Sequence, residues 1–392
     1  MLGGKEIDVN YFFSPSSSLR KDNSRHFVGR SAEFKNAIDG LAVRGSTLFV
    51  HADRGLGKTS FAWQMADAIK RQNLRGTPFG KQMPTFRLPK LKPLWLQCRS
   101  DMHDMYSVLA ALLVPGVSFD STIRDGFPEL FTGKTEIESI ERTSKLSGGF
   151  FDVQTKVKKT LQSADAAPAE IRELQSIAKQ LFLEKVAEAR KLSGDKDLLI
   201  ILDEFDQLED KTGFGSLVKE CSDARFAFVG ITEDVSGVIE DHFSVGRKGF
   251  GAEVELGRLE VRDVSDLFEE ASTIGEEQNI SLRFSQEFVQ QVNEFADGTP
   301  SLVQYIGLET IRHLDESGGW KSPRVANSAI FHIVLKKLFG PKRQRAIYKN
   351  LQNLVRGNAN RLAILQILSL ASNPWVDESD LIEELDSSEA EG

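Results

Sequence analysis

HADRGLGKTSF, residues 51–61, is the stretch on which the reading of this chain turns. Its ending, Gly57-Lys58-Thr59, is what a phosphate-cradling loop needs, although Ala52 stands where the strictest form of the pattern has its first glycine. Such a loop works only between a strand and a helix, where backbone N–H groups and a helix N-terminus converge on one anion. Both neighbours are predicted. Thr47-Leu48-Phe49-Val50 is a β-prone apolar run, and Phe61, Met65 and Ile69 recur every four residues as one helical face. The alternative for the same residues is a plain glycine turn between core elements.

Each residue type has a task in the first reading. Gly55 and Gly57 allow backbone angles and close approaches that a Cβ would block, so that amides from Gly55 and Leu56 through Thr59 point inward, with Ser60 beside them. Lys58 reaches the β and γ phosphates of a nucleotide. The Thr59 hydroxyl completes the shell of a Mg²⁺ ion. Ala52 is small enough for the start of the loop.

A second stretch, LLIILDEFDQL at 198–208, supports this choice. Leu198 to Leu202 are consecutive aliphatics, the pattern of a strand buried on both faces of a parallel sheet. Asp203 and Glu204 follow at its carboxyl end, where open α/β sheets bind ligands. Asp203 is predicted to hold the Mg²⁺, and Glu204 to polarise the attacking water.

Together the two stretches resemble those of AAA+ and STAND-type P-loop ATPases, close in style to the initiator and bacterial signal-transduction branches. The resemblance spans roughly residues 11–385. It implies an α/β fold, a P-loop NTPase parallel-sheet sandwich followed by a helical lid and a C-terminal winged-helix-like region, with ATP and Mg²⁺ as cofactors. Phe27-Val28-Gly29-Arg30 matches the entry motif, which puts the segment with Val28 against the adenine and Arg30 near the nucleotide; Ser31 can cap the next helix, whose face is Phe34, Ile38 and Leu41. An incidental arginine at a helix start is the alternative for Arg30. The strand at 226–231 ends at Thr232, where the family places a polar sensor. Arg247 matches the arginine that reaches a neighbouring subunit's γ-phosphate, with Arg258 and Arg262 as competitors for that role.

In the lid, Phe288, Val292 and Phe295 share a predicted helix face, Gly298 closes that helix, and Thr299-Pro300 opens the next. Gly298-Thr299-Pro300 matches the Gly-x-Pro of STAND proteins, so the resemblance puts Pro300 against the adenine. Where many AAA+ proteins carry a sensing arginine, this chain has Ser301, Leu302 and Gln304, which tilts the resemblance toward the STAND side.

The implied organisation is an N-terminal extension (1–25), an ATPase core (26–257) with an insertion (114–194) that includes a long helix from Ile171 to Lys191, a helical lid (258–320) and a C-terminal region (321–392). With 392 residues and a net charge of −8, the chain can bury a large core and is no general polyanion binder. No apolar run has the length of a membrane span and no secretory signal pattern opens the chain, so a cytoplasmic location is expected. Cys98 and Cys221 lack metal-site spacing and read as buried free thiols.

From Ser317 to Val376 there are ten Lys or Arg and no Asp or Glu, which leaves 39 basic against 57 acidic residues elsewhere. Pro323 and Pro341 each read as opening a helix, and Arg361 as opening the first helix of a winged-helix-like module. A positive face there fits DNA phosphates or a partner protein, and a solvated face on packed helices fits equally. Two functions follow. One is an ATPase switch controlling domain arrangement or self-association, for which the resemblance implies phage defence as one setting. The other is an initiator-like or transposition-like ATPase that loads on DNA.

Overall fold

The computed structural model describes residues 8–15, 18–74, 79, 86–100, 102–113, 168–194, 196–231, 250–317, 320 and 322–338. Thr232, Arg247, Pro341, the helix expected from Arg361 and most of the insertion lie outside them. The chain divides into two compact units, residues 1–328 and 329–392.

The first unit is built on five parallel strands: β1 (Thr47–His51), β2 (Leu91–Gln97), β3 (Asp197–Asp203), β4 (Ala224–Ile231) and β5 (Phe250–Glu255), in the spatial order β2-β3-β4-β1-β5. The order follows from the connections. The chain leaves β1 for the far edge at β2, returns through β3 to β4 beside β1, and then crosses to β5 on the other side. The direction of winding therefore reverses at β1 and β4, and a crevice opens at their carboxyl ends, which is where such sheets bind ligands.

Alternation along the strands divides the core into two layers. In β3, Leu198, Ile200 and Leu202 face one side, packing with Phe226 and Phe228 under α3 (Met105–Leu113), α4 (Pro168–Leu192) and α5 (Phe214–Glu220). Leu199 and Ile201 face the other, under α1 (Ser31–Ala42) and α2 (Lys58–Arg71), which contribute Phe34, Ile38, Leu41, Phe61, Met65 and Ile69. Both helix faces read from the sequence are thus buried. The long helix expected at 171–191 lies within α4. Cys98 and Cys221 are buried free thiols.

Beyond β5 come α6 (Val261–Glu277), a short parallel pair made by β6 (Leu282–Phe284) and β7 (Arg324–Ala326), α7 (Gln286–Ala296), α8 (Pro300–Glu316) and α9 (Ser328–Leu338). Three local expectations need correction. Ser31 is the first helical residue of α1, and Arg30 stands at the cap with φ +65°. In α7 the inward face is Phe288, Val289, Val292 and Ala296, whereas Phe295 is 42% exposed, because the stripe is centred near Val292 and Ala296 and Phe295 lies just outside its edge. Pro323 precedes a strand rather than a helix; proline tolerates the first position of an edge strand because its missing N–H is not needed there.

The N-terminal segment is packed despite its polar composition. Phe12 and Phe13 are 0% and 1% exposed. The Phe13 ring lies against Gly307 of α8 and is 5.5 Å from the Phe268 ring of α6. The 3-10 turn Lys21–His26 is tied to α6 by Arg25, which pairs with Glu270 at 2.5 Å and Glu277 at 2.6 Å. Among the described residues, no helix is long and apolar enough to cross a membrane.

Candidate nucleotide-binding site

The loop after β1 ends on Gly57, whose φ of +91° turns the chain into α2, so that Lys58 and Thr59 are the first helical residues. Their amides are among those that have no partner inside the helix and carry its positive end. The Lys58 ammonium folds over the loop and donates to the carbonyls of Ala52 at 2.6 Å and Asp53 at 3.0 Å. Burial holds its pKa below the usual lysine value, against the pull of the Asp206, Asp53 and Asp203 carboxylates.

From the sheet's other half, β3 delivers Asp203, which is 2% exposed. The Thr59 hydroxyl donates to Asp203 Oδ1 at 3.1 Å. Burial pushes the Asp203 carboxyl up to about 7, although the Thr59 hydroxyl and the Glu204 amide pull the other way. Burial beside the acidic Glu204 and Asp206 makes the charged form of this group costly unless a cation accompanies it. Glu204 follows in the left-handed region at φ +54°, a costly conformation for a non-glycine residue that turns it out of the strand direction. Its Oε2 accepts from Gln97 Nε2, at the end of β2, across 3.0 Å.

A cavity of about 690 Å³ joins these groups. It brings together Val28, Arg30, the loop from Gly55 through Ser60, Asp203, Glu204 and Pro300. Two further side chains of this group are also engaged by the protein itself. Arg30 is 8% exposed and donates to the carbonyls of Leu56 at 3.5 Å and Gly257 at 2.5 Å while pairing with Glu33 at 3.1 Å, so it braces the loop against the segment that follows β5. The Ser60 hydroxyl accepts from the Leu19 amide at 2.9 Å. Thr232 and Arg247 lie outside the described residues.

The cavity also has walls that the sequence reading did not assign: Gln97, Asp206, Gln304 and, from the N-terminal segment, Ser14, Leu19 and His26. Gln97 had a local signal, a polar residue ending an apolar strand. Asp206 repeats the acid three residues after Asp203. The N-terminal residues had none, because their placement depends on Leu19 meeting Ser60 and Gln64 of α2.

No known protein family and no curated protein matches the sequence. Solved structures do match. A Walker-type ATPase of Pyrococcus abyssi is 14% identical with a TM-score of 0.51, over 96% of this chain and 92% of that one. Cdc6p of Pyrobaculum aerophilum is 12% identical with a TM-score of 0.46, over 96% and 83%. The Aeropyrum pernix ORC2 protein in its ADP form is 13% identical with a TM-score of 0.45, over 97% and 82%. At these identities the likeness concerns the fold, and the first of the three carries it. In its described part the chain has a parallel α/β fold similar to that of the Walker-type ATPase, a likeness with which its sheet order and its glycine loop agree.

Proposed function

We propose that this chain binds ATP with Mg²⁺ between the loop ending at Thr59 and the acid at Asp203, hydrolyses it slowly, and uses the nucleotide state to control self-association or engagement of a partner. The observation that carries the proposal is the Thr59–Asp203 hydrogen bond inside a cavity that also holds Lys58 and Glu204. It joins the two halves of a phosphate and cation site.

The residues present fit Mg²⁺. Among the described residues no cluster of three or more His, Cys, Asp or Glu converges. A cation here would therefore have Thr59 and Asp203 as protein ligands and take its other oxygens from phosphates and water, as Mg²⁺ commonly does. When bound, it would neutralise charge on the β and γ phosphates. Lys58 would exchange its two carbonyl partners for phosphate oxygens. The loop amides would hold the β-phosphate, and Glu204, released by Gln97, would accept a proton from the attacking water. Val28 and Pro300 would face the adenine, Thr232 would act as the polar sensor and Arg247 would contact a neighbouring subunit's nucleotide. Arg30 would shape the base side indirectly, through the loop.

The experiment is a nucleotide-binding titration and a phosphate-release assay on the full chain, followed by a size measurement with a non-hydrolysable ATP analogue. Binding without a change in size or partner affinity would leave an ATPase but remove the switch. The choice of a STAND-type switch, including a role in phage defence, rests on Gly298-Thr299-Pro300 and the missing sensor arginine.

A second reading is favoured by one observation, the run from Ser317 to Val376 with ten basic and no acidic residues. It makes the chain an initiator-like or transposition-like ATPase that loads on DNA, in place of one that engages a protein. DNA titrations at two salt concentrations, with and without ATP, separate the two. Phosphate contacts predict affinity that falls steeply with salt.

A further inference from the structure

Gln304 lies in α8, one turn beyond Ser301, lines the cavity, and is 5% exposed. Its Oε1 accepts from the main-chain N–H of Ser14 at 2.9 Å. A main-chain amide can only donate, so the carboxamide has one possible orientation: oxygen toward Ser14, NH₂ on the opposite side. Among the described residues that NH₂ has no hydrogen-bond partner. The residue lines the cavity, so that donor is open to a ligand there.

The position selects which part of a nucleotide could fill it. Ser301 Oγ lies 2.8 Å from where a Cβ on Gly55 would stand, so α8 begins against the phosphate loop. Gln304, three residues along the helix, is about 4.5 Å further on. Pro300 stands one turn before Gln304 in the same helix, and the apolar Phe27, Val28 and Leu267 line the same cavity. A flat heterocycle suits such walls better than a phosphate, which would lose its hydration without gaining charge partners.

Resting on the ATP reading above, we infer that Gln304 is the residue that reads the base, its NH₂ donating to an unprotonated ring nitrogen of adenine. The exocyclic amine cannot serve, because its lone pair is delocalised into the ring and it only donates. Ser14 is the positioning residue, since it fixes which end of the carboxamide faces the base. Base recognition is therefore tied to the docking of the N-terminal segment, which Leu19 anchors on α2 through Ser60 and Gln64.

The test measures the affinities of ATP and of 1-deaza-, 3-deaza- and 7-deaza-ATP for the full chain and for Gln304→Ala and Gln304→Glu. One of the three analogues should bind the native chain about tenfold more weakly than ATP, the loss of one hydrogen bond. Gln304→Ala should weaken ATP by a similar factor and leave that one analogue unchanged. Gln304→Glu keeps an oxygen for Ser14 but replaces the donor with an acceptor, and should weaken ATP at least as much. Equal losses for ATP and all three analogues on Gln304→Ala would mean a merely structural role and overturn the inference, as would native ATP affinity in that variant. If the native chain binds no ATP, the proposed function fails as well, an outcome distinct from either.

Discussion

Thr59 and Asp203, 144 residues apart in sequence, share a hydrogen bond of 3.1 Å across the carboxyl ends of β1 and β3. Between their strands lies β4, so the contact exists only because the sheet places the strand bearing the acid two positions from the strand bearing the loop. It turns two separate sequence patterns into one site, and the expectations below follow from it.

Lys58→Ala should reduce ATP affinity at least a hundredfold, because the phosphates lose charge-assisted hydrogen bonds worth about 1.5–3 kcal/mol each. The folded state should be unaffected, since what Lys58 holds in the free chain is two loop carbonyls. Calorimetric titration checks the first point and a melting curve the second. Undiminished affinity would place the phosphates elsewhere.

Glu204→Gln should keep nucleotide binding within a few-fold and lower phosphate release by about 10²–10⁴, the usual contribution of a general base. Gln97→Ala, which frees Glu204 Oε2 from its partner, should change turnover and leave ATP affinity alone. Single-turnover assays read both. Phosphate release unchanged by Glu204→Gln would make the chain a nucleotide-binding module without turnover.

Mg²⁺ affinity in the presence of nucleotide should depend on pH through Asp203. With its carboxyl pushed up to about 7 by burial, the side chain is protonated below that pH and must lose a proton to take a cation. Affinity should therefore rise by up to about tenfold per pH unit as pH approaches 7 from below, and level off above it. Asp203→Asn should abolish the dependence. A profile flat from pH 5.5 to 8.5 in the native chain would reject this.

Gly307→Ala tests the docking of the N-terminal segment by the sign of its effect. Alanine in a helix interior ordinarily stabilises by about 1 kcal/mol relative to glycine. Here an added Cβ would come within 2.6 Å of the Phe13 ring. The substitution should instead destabilise by about 1–3 kcal/mol, the usual effect of overpacking. Urea denaturation measures it, and a stabilising result would show that Phe13 does not sit on α8.

His26 gives the same segment a pH dependence. Burial depresses its imidazole from 6.5 to about 4, so the folded state favours the neutral ring. Stability from this group is fully present above about 6.5 and is lost as pH falls toward 4, by about 2 kcal/mol at pH 5. Limited proteolysis should cut within residues 8–26 faster at pH 5 than at pH 7, and His26→Gln should remove most of the difference. Equal rates at both pH values in the native chain would contradict it.

Much of this protein follows from its sequence alone, because the signals are local. The aliphatic run Leu198–Leu202 reads as a strand covered on both faces, and the four-residue spacing of Phe61, Met65 and Ile69 as one side of a helix. The phosphate role proposed for Gly57-Lys58-Thr59 is legible in residue type and order. What sequence could not determine depends on which surfaces meet. Arg30 reads as a nucleotide contact, yet it spends its guanidinium on Leu56 and Gly257. Ser14, Leu19 and Gln304 carry no motif and become cavity walls only when the N-terminal segment docks between α2 and α8. Hydrogen-bond partners hundreds of residues apart leave no periodicity in the chain, so only the folded structure assigns them.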